Sequence, residues 1–335
     1  MISEAGPEQE SQAISLLRSG LQLPEFDQAF WTWRYRLHPA GRGLVLVAWA
    51  DGQVVGVAGA FPQDMRVEGR PAKGWFVNDV FVHPQWRRQG LFTALCRKQT
   101  EGLRERGASL AFCIATPMSY AGYTGRLGYR HVADVPYLVA AVRPSRSLLS
   151  RVGSLWPRSH LARALAHFTV EPATSPAQLA EAAAACMTGG PKSTEVVPSE
   201  EFFRWRFYQH PWQRYVLLVL RQGQELAGYA VLRGQNLLMV GSRPDRRTAD
   251  AVVGAALREA RDSDTPDLHA YCLGSRHLAG AMRRAGFVRW PFRARPFGLY
   301  PQQPLMVLPL GHQAGATHDD RDRWNLQMAH LACGL

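Results

Sequence analysis

The chain has 335 residues, 46% apolar and 20% charged, a globular balance that argues against disorder, collagen and coiled coil. Its longest apolar runs, 44–50 and 137–142, reach about seven residues where a membrane-spanning helix takes roughly 20, so no such helix is expected. Basic residues exceed acidic ones by 12, and all but Lys73, Lys98 and Lys192 are arginines. They are spread along the whole chain rather than gathered on one face, which argues against nucleic acid as the partner. Two origins of the excess stay open: a codon bias toward arginine and alanine, or attraction of an anionic substrate, cofactor or surface.

The length suggests two domains. The start, MISEAGPEQE, is acidic and polar and lacks the pattern of a signal peptide. A helix is predicted over 8–19, with Ile14, Leu16 and Leu17 as its apolar positions. Then comes FWTWRYRLHP (30–39), followed by a strand, glycine turn and strand over 44–60. Gly56 and Gly59 lack the third glycine and the following helix of a dinucleotide fingerprint. In 77–107 an apolar strand with Val77, Phe81 and Val82 ends at His83–Pro84. A polar turn of Arg87, Arg88, Gln89 and Gly90 opens a helix at Leu91, with Leu95 and Leu103 on its apolar side. Strand, basic glycine turn and helix place free N–H groups and a positive dipole end at one spot, an anion site suited to a pyrophosphate. Gly90 permits close approach of the backbone, and Arg87 and Arg88 add charge-assisted hydrogen bonds. A strand at 109–116 and a Ser/Tyr-bearing segment at 117–132 follow.

The segment 143–166 carries Arg143, Arg146, Arg151, Arg158 and Arg163 beside Leu148, Leu149, Val152, Leu155 and Trp156. It reads as an inter-domain helix, with a membrane-surface helix as the alternative. After it the chain repeats itself. Trp33, Arg34, His38 and Pro39 recur as Trp205, Arg206, His210 and Pro211 at one constant offset. A strand–turn–strand at 215–232 echoes 44–60, and RRAGFVRW (283–290) echoes GRLGYRHV (125–132). The repeated His-Pro reads as a shared turn. The expected domains are 1–142 with the anion site, a linker at 143–166, a second copy at 167–310 and a polar tail at 311–335. Residues 318–324 form an acidic cluster that reads as solvated. Cys96, Cys113, Cys186, Cys272 and Cys333 lack metal-like spacing and read as reduced thiols of a cytoplasmic protein, with no metal site expected.

The order of strand, R-R-x-G turn, helix, strand, Ser/Tyr segment and Gly-aromatic resembles the GCN5-related N-acetyltransferase superfamily, whose turn signature is Q/R-x-x-G-x-G/A. RRQGLFTAL and YTGRLGY are most similar to the branch containing the enhanced-intracellular-survival aminoglycoside acetyltransferases. WRYRLHP is similar to acetyltransferases found among polysaccharide-biosynthesis proteins. The resemblance is strong over 44–140 and an echo over 168–300. It implies an α/β (α+β) fold of two tandem mixed-sheet domains, the second degenerate because Thr248 and Ala249 stand where the cradle glycine should be. Phe92 departs from the Gly or Ala of the signature, which would reshape the floor under the phosphates.

The resemblance implies acetyl-CoA as cofactor, held by Phe81, Val82, Arg87, Arg88, Gln89, Gly90, Leu91, Phe92, Thr93 and Ser119. The implied reaction is attack of a primary amine on the thioester, with backbone N–H groups of Val80 to Val82 meeting the oxyanion and residues 113–115 flanking the pantetheine arm. Asp79 is the implied base, or else a structural carboxylate, with Asn78 beside it. The family pattern would put the thiolate's proton donor at position 124, a threonine here. Tyr123 is therefore the first choice and Tyr120 the second, with unassisted departure as the third reading. Ser119 either bonds the cofactor or forms a turn. Trp31, Trp33, Tyr35 and Trp75 either stack on a sugar ring or pack in the core. The expected substrate is a small-molecule amine, an amino sugar or its nucleotide-linked form. The alternatives are a non-catalytic acyl-CoA sensor and an aminoacyl transferase of the same tandem fold. The sequence leaves the oligomeric state open.

Overall fold

Pro7 opens the first long helix, α1 (Pro7–Leu21), and the side chain of Gln9 folds back to accept from Gly6 N–H at 2.7 Å. Ala13, Ile14 and Leu17 form its buried stripe, and Gln22 ends it in the left-handed conformation. In this computed structural model, residues 1–143, 146, 158–187, 193–289, 303–311, 323–327 and 330 are described. The chain divides into two units. One takes Met1–Asp134, Gln209–Pro211 and Gln303–Arg321. The other takes Val135–Tyr208, Trp212–Gln302 and Asp322–Leu335.

The first unit holds strands β1 (Ile2–Glu4), β2 (Leu44–Ala50), β3 (Gln53–Val67), β4 (Arg70–Val82), β5 (Leu110–Ile114) and β6 (Arg130–Asp134). The four strands β1 to β4 form an antiparallel run. Helix α3 (Leu91–Glu105) then crosses over to β5, which lies parallel to β4. Leu95 and Leu103 of α3 are fully buried in a core shared with Leu46, Ala58 and Val77. Helix α4 (Pro117–Arg126) leads from β5 toward β6.

The second unit holds β7 (Tyr137–Ala141), β8 (Thr169–Pro172), β9 (Thr194–Val196), β10 (Val216–Gln222), β11 (Glu225–Arg233), β12 (Asn236–Ser242), β13 (Asp267–Leu273) and β14 (Val288–Arg289). Strands β8, β10, β11 and β12 are antiparallel neighbours, and β13 lies parallel to β12 after the crossover helix α8 (Arg246–Asp262). The two units repeat one plan. In each, a short helix, α2 (Gln28–Trp31) or α7 (Glu200–Phe203), runs into a π-helical turn, at Thr32–Arg36 or Arg204–Tyr208. These turns carry the repeated Trp-Arg pair.

The expected boundaries move in three places. Strand β7 was expected to end the first domain, yet it pairs over five residues with β13. Strand β15 (Pro304–Pro309) was expected to close the second copy. It lies instead between β5 and β6, where Leu305, Met306 and Val307 are fully buried. A strand covered on both faces reads as a continuous apolar run, which gives no sign of which sheet it joins. Strand β16 (Trp324–Gln327) stands within the expected polar tail and pairs with β13 and β9, burying Trp324 and Leu326.

Of the expected linker, Ser159–Leu165 is a helix, α5, with Leu161 and Ala164 buried. Arg146 pairs with Asp264 at 2.7 Å, and Arg158 donates to the carbonyls of Ala141 and Ala285. Arg151, Leu148, Leu149, Val152, Leu155 and Trp156 lie outside the described residues, as do Trp290, Cys333 and the acidic residues of 318–322.

Candidate active site

Strand β4 carries a bulge where it nears the crossover turn. Phe81 faces Val57 and Asn78 faces Gly59, so Asp79 and Val80 together oppose the single residue Ala58. Asp79 has φ 50°, a left-handed conformation that a non-glycine residue keeps only when held. What holds it comes from the repeated block. Arg34 Nη1 lies 2.5 Å from Asp79 Oδ2, the Tyr35 hydroxyl donates to the same oxygen at 2.5 Å, and Asn78 Nδ2 donates at 3.1 Å. The Arg34 and Asp79 side chains are 5% and 8% exposed. Burial, and then the Asp79 charge, push the Tyr35 hydroxyl far above its ordinary pKa, so it stays a donor. Gly59 leaves the space that this hydroxyl fills, since a Cβ there would fall on it.

Pairing between β4 and β5 covers only Gly74–Phe76 against Leu110–Phe112. Beyond Phe76 that edge of β4 has no ladder among the described residues, and it leads to the turn. Arg88 (φ 63°) and Gly90 (φ 80°) are both left-handed, and a Cβ at Gly90 would meet nothing within 4 Å. Gly90 is the N-cap of α3 with no side chain capping it, so the first amides of the helix, at Leu91, Phe92 and Thr93, have no partner within it. Arg87, Arg88, Gln89 and Gly90 are exposed. Arg87 Nε donates to the Val82 carbonyl at 3.1 Å and its guanidinium lies over the Phe81 ring, so this side chain braces the strand end. Arg88 is the other exposed arginine of the turn.

Phe92 does not floor the turn. Its ring meets Tyr123 edge-on at 5.5 Å, and a Cβ on Gly122 would sit 2.7 Å from it. The bulky residue is accommodated by a glycine on α4. Tyr123 itself is 4% exposed, packed edge-on against Tyr129, its hydroxyl beside the Cys113 and Cys96 thiols. Burial, and then those thiols, push its hydroxyl far above the ordinary value. The phase of α4 explains this: starting at Pro117, it turns Tyr123 inward and leaves Tyr120 half-buried. The Tyr120 hydroxyl lies 3.3 Å from His131 Nδ1, and His131 Nε2 lies 3.2 Å from Asp134 Oδ1. Ser119 caps α4 in a reciprocal pair with Thr116: each side chain accepts from the other's backbone N–H, at 3.0 and 3.3 Å. Trp31, Trp33, Tyr35 and Trp75 are at most 3% exposed and pack in the core, so no sugar platform is formed by them. His38 accepts from Ala40 N–H, and burial followed by Lys73 pushes it down to about 3, a neutral turn residue.

The corresponding places in the second unit are filled. At the start of α8 the Asp245 carboxylate accepts from Thr248 N–H at 2.8 Å and from the Thr248 hydroxyl at 2.6 Å. Pairing of β12 with β13 stops after Leu237 and Ala270. Past that point β16 pairs with β13, and the Gln327 carboxamide bonds both the N–H and the carbonyl of Val240, at 2.6 and 2.8 Å.

Residues 1–132 match the acetyltransferase (GNAT) domain family. The first unit carries a GNAT domain. No functionally curated relative matches the sequence. Among solved structures, the chain is similar to a tandem GNAT protein from the clavulanic acid biosynthesis pathway, solved without AcCoA, at TM-score 0.60 and 16% identity over 93% of this chain and 98% of that one. A probable N-acyltransferase from Enterococcus faecalis V583 aligns at TM-score 0.67 and 12% identity, covering 92% and 72%. Eis1 from Mycobacterium abscessus aligns at TM-score 0.50 and 19% identity, covering 80% and 64%. The fold is thus the tandem GNAT fold, and its GNAT domain is of an acyltransferase family. No described helix is long and apolar enough to cross a membrane. Sequence reading missed what Arg34, Tyr35, His131 and Asp134 do. The repeated Trp-Arg block was the one available signal for the first two.

Proposed function

We propose that the first unit transfers an acetyl group from acetyl-CoA to the primary amine of a small polar substrate. One observation carries this reading: an uncapped helix start at Gly90 adjoins the unladdered edge of β4. The residues fit the cofactor. The amides of Leu91, Phe92 and Thr93, with the Arg88 guanidinium, would hold the pyrophosphate. The backbone of Phe81 and Val82 would pair with the amides of the pantetheine arm. When bound, acetyl-CoA supplies the acyl thioester. In this reading the backbone N–H groups of Val80 to Val82, next to the bulge, would meet the negative charge that builds on the thioester oxygen.

The proton roles are reassigned within that reading. Asp79 is a positioning residue: its carboxylate is committed to Arg34, Tyr35 and Asn78, and protonating it would leave a buried guanidinium without its counter-ion. Tyr120, backed by His131 and Asp134, is the proton donor to the departing thiolate. Tyr123 is walled into the core. The substrate amine is proposed at the level of class, with amino sugars, free or nucleotide-linked, first on the panel.

The test is release of CoA from acetyl-CoA across a panel of amines. Turnover on one class of amine supports the proposal. Acetyl-CoA binding without turnover on any amine would favour the sensor reading, to which Thr124 in the family's tyrosine position lends support.

A further inference from the structure

Strand β16 does more than fill the second unit's sheet. It runs parallel to β9, with Asn325 opposite Glu195, and brings Asn325 and Gln327 to the wall of a cavity, with His330 close by in sequence. The cavity is small, about 40 Å³, and partly open to solvent, and Cys186, Tyr229, Met239 and Leu278 give it apolar walls.

Its polar groups do not balance. Glu195 is 5% exposed and is the one acidic side chain among the residues lining the cavity, which include no lysine or arginine. Its carboxylate receives two long contacts, from the Ser193 hydroxyl and the Asn325 amide, each at 3.4 Å. No cation among the described residues pairs with it. A carboxylate buried this way is costly unless a cation or several donors complete it. Asn325 Oδ1 is buried and has no donor. His330 is 4% exposed, and its Nδ1 accepts from Gln327 N–H at 3.2 Å. In a neutral ring the proton then sits on Nε2, and that N–H has no acceptor. Burial, and then Arg206, push this histidine down to about 3, which keeps it neutral. The Gln327 carboxamide is already committed to the Val240 backbone.

We propose that this cavity binds a small protonated amine bearing a hydroxyl or carbonyl oxygen near its ammonium group. The ammonium meets the Glu195 carboxylate and Asn325 Oδ1, and the oxygen accepts from His330 Nε2–H. An anionic ligand is disfavoured because Glu195 repels it and no basic side chain lines the wall. A divalent metal lacks ligands, since one carboxylate is the only charged donor and no group of three candidate ligands exists among the described residues. The inference does not rest on acyl transfer, because every residue lining the cavity belongs to the second unit.

The test uses the full chain without acetyl-CoA, with ethanolamine as probe and N-acetylethanolamine as the uncharged control. Calorimetry is expected to show one ethanolamine site and no binding of the control. Glu195→Gln keeps the shape and removes the charge, and is expected to weaken ethanolamine by roughly 10- to 100-fold. Equal affinity in Glu195→Gln would place the amine elsewhere and overturn the proposal, as would binding of both probes alike or of neither. A co-crystal of the wild-type chain gives a second readout that does not depend on the variant folding. Ethanolamine density bonded to Glu195 supports the site, and density found only elsewhere overturns it.

Discussion

At the level of single residues, two tyrosines one helical turn apart on α4 have opposite surroundings. Tyr123 sits among thiols and rings at 4% exposure, while Tyr120 reaches His131 and is half-buried. If Tyr120 protonates the leaving thiolate, Tyr120→Phe is expected to lower turnover by about 10²- to 10⁴-fold with acetyl-CoA affinity kept. Tyr123→Phe is expected to keep turnover and change stability by about 1 kcal/mol. Steady-state kinetics and thermal melts on the two variants check this, and a damaging Tyr123→Phe beside a harmless Tyr120→Phe would reverse the assignment. His38 offers a pH test. Its pKa falls from 6.5 to about 3 on folding, so between those values the unfolded chain binds the extra proton. Stability is therefore full above about pH 6.5 and is lost as pH falls, by up to about 1.4 kcal/mol per pH unit for this group. His38→Asn keeps an acceptor for Ala40 N–H and removes the titration. Its melting temperature should decline less steeply than wild type between about pH 6 and pH 4.

At the level of elements, strand β4 is shaped by a segment distant in sequence. The π-helical turn delivers Arg34 and Tyr35 to Asp79, and their bonds hold a left-handed residue inside a strand. Removing one partner of a buried ion pair strands the other, so Arg34→Met is expected to cost about 3–5 kcal/mol in a denaturant titration. Asp79→Asn separates positioning from base catalysis. A positioning role predicts reduced turnover with an unmoved acidic limb of the pH–rate profile, whereas loss of that limb would restore Asp79 as the base. The sequence showed the turn, Gly90 and the α3 helix because their signals are local: a glycine, a charge change and a helical period within a short stretch. It could not show the Asp79 clamp, whose partners lie 44 and 45 residues away. It misread Phe92 for the same reason, since the space that takes the ring is made by Gly122 on another helix. Strands β7 and β15 carry apolar runs, but pairing partners are set by topology, which no local pattern encodes, and the four residues of β16, half of them polar, are too few to announce a strand.

For the whole molecule, duplication has left two copies of one plan with different ends to the crossover. In the first unit the helix start is uncapped and the β4 edge is open. In the second, Asp245 puts a carboxylate on the amide that an anion would need, and its charge would repel a pyrophosphate. The matching sheet edge is occupied by β16, with the Gln327 carboxamide on the Val240 backbone. Loss of the cradle glycine at Thr248–Ala249 is thus one of three separate obstacles. Calorimetry on the full chain is expected to give one acetyl-CoA per chain. Gly90→Val tests which unit supplies that site. The new side chain meets no neighbour, so the fold survives with a backbone strain of about 1–2 kcal/mol from the positive φ. The strain falls where the amides of Leu91, Phe92 and Thr93 must present themselves, and a Cβ there would stand in the path of the phosphates. Acetyl-CoA binding by Gly90→Val should be undetectable while its thermal unfolding stays cooperative. If Gly90→Val still binds one acetyl-CoA, the site lies in the second unit despite Asp245 and β16, and two per wild-type chain would mean that both copies remain competent.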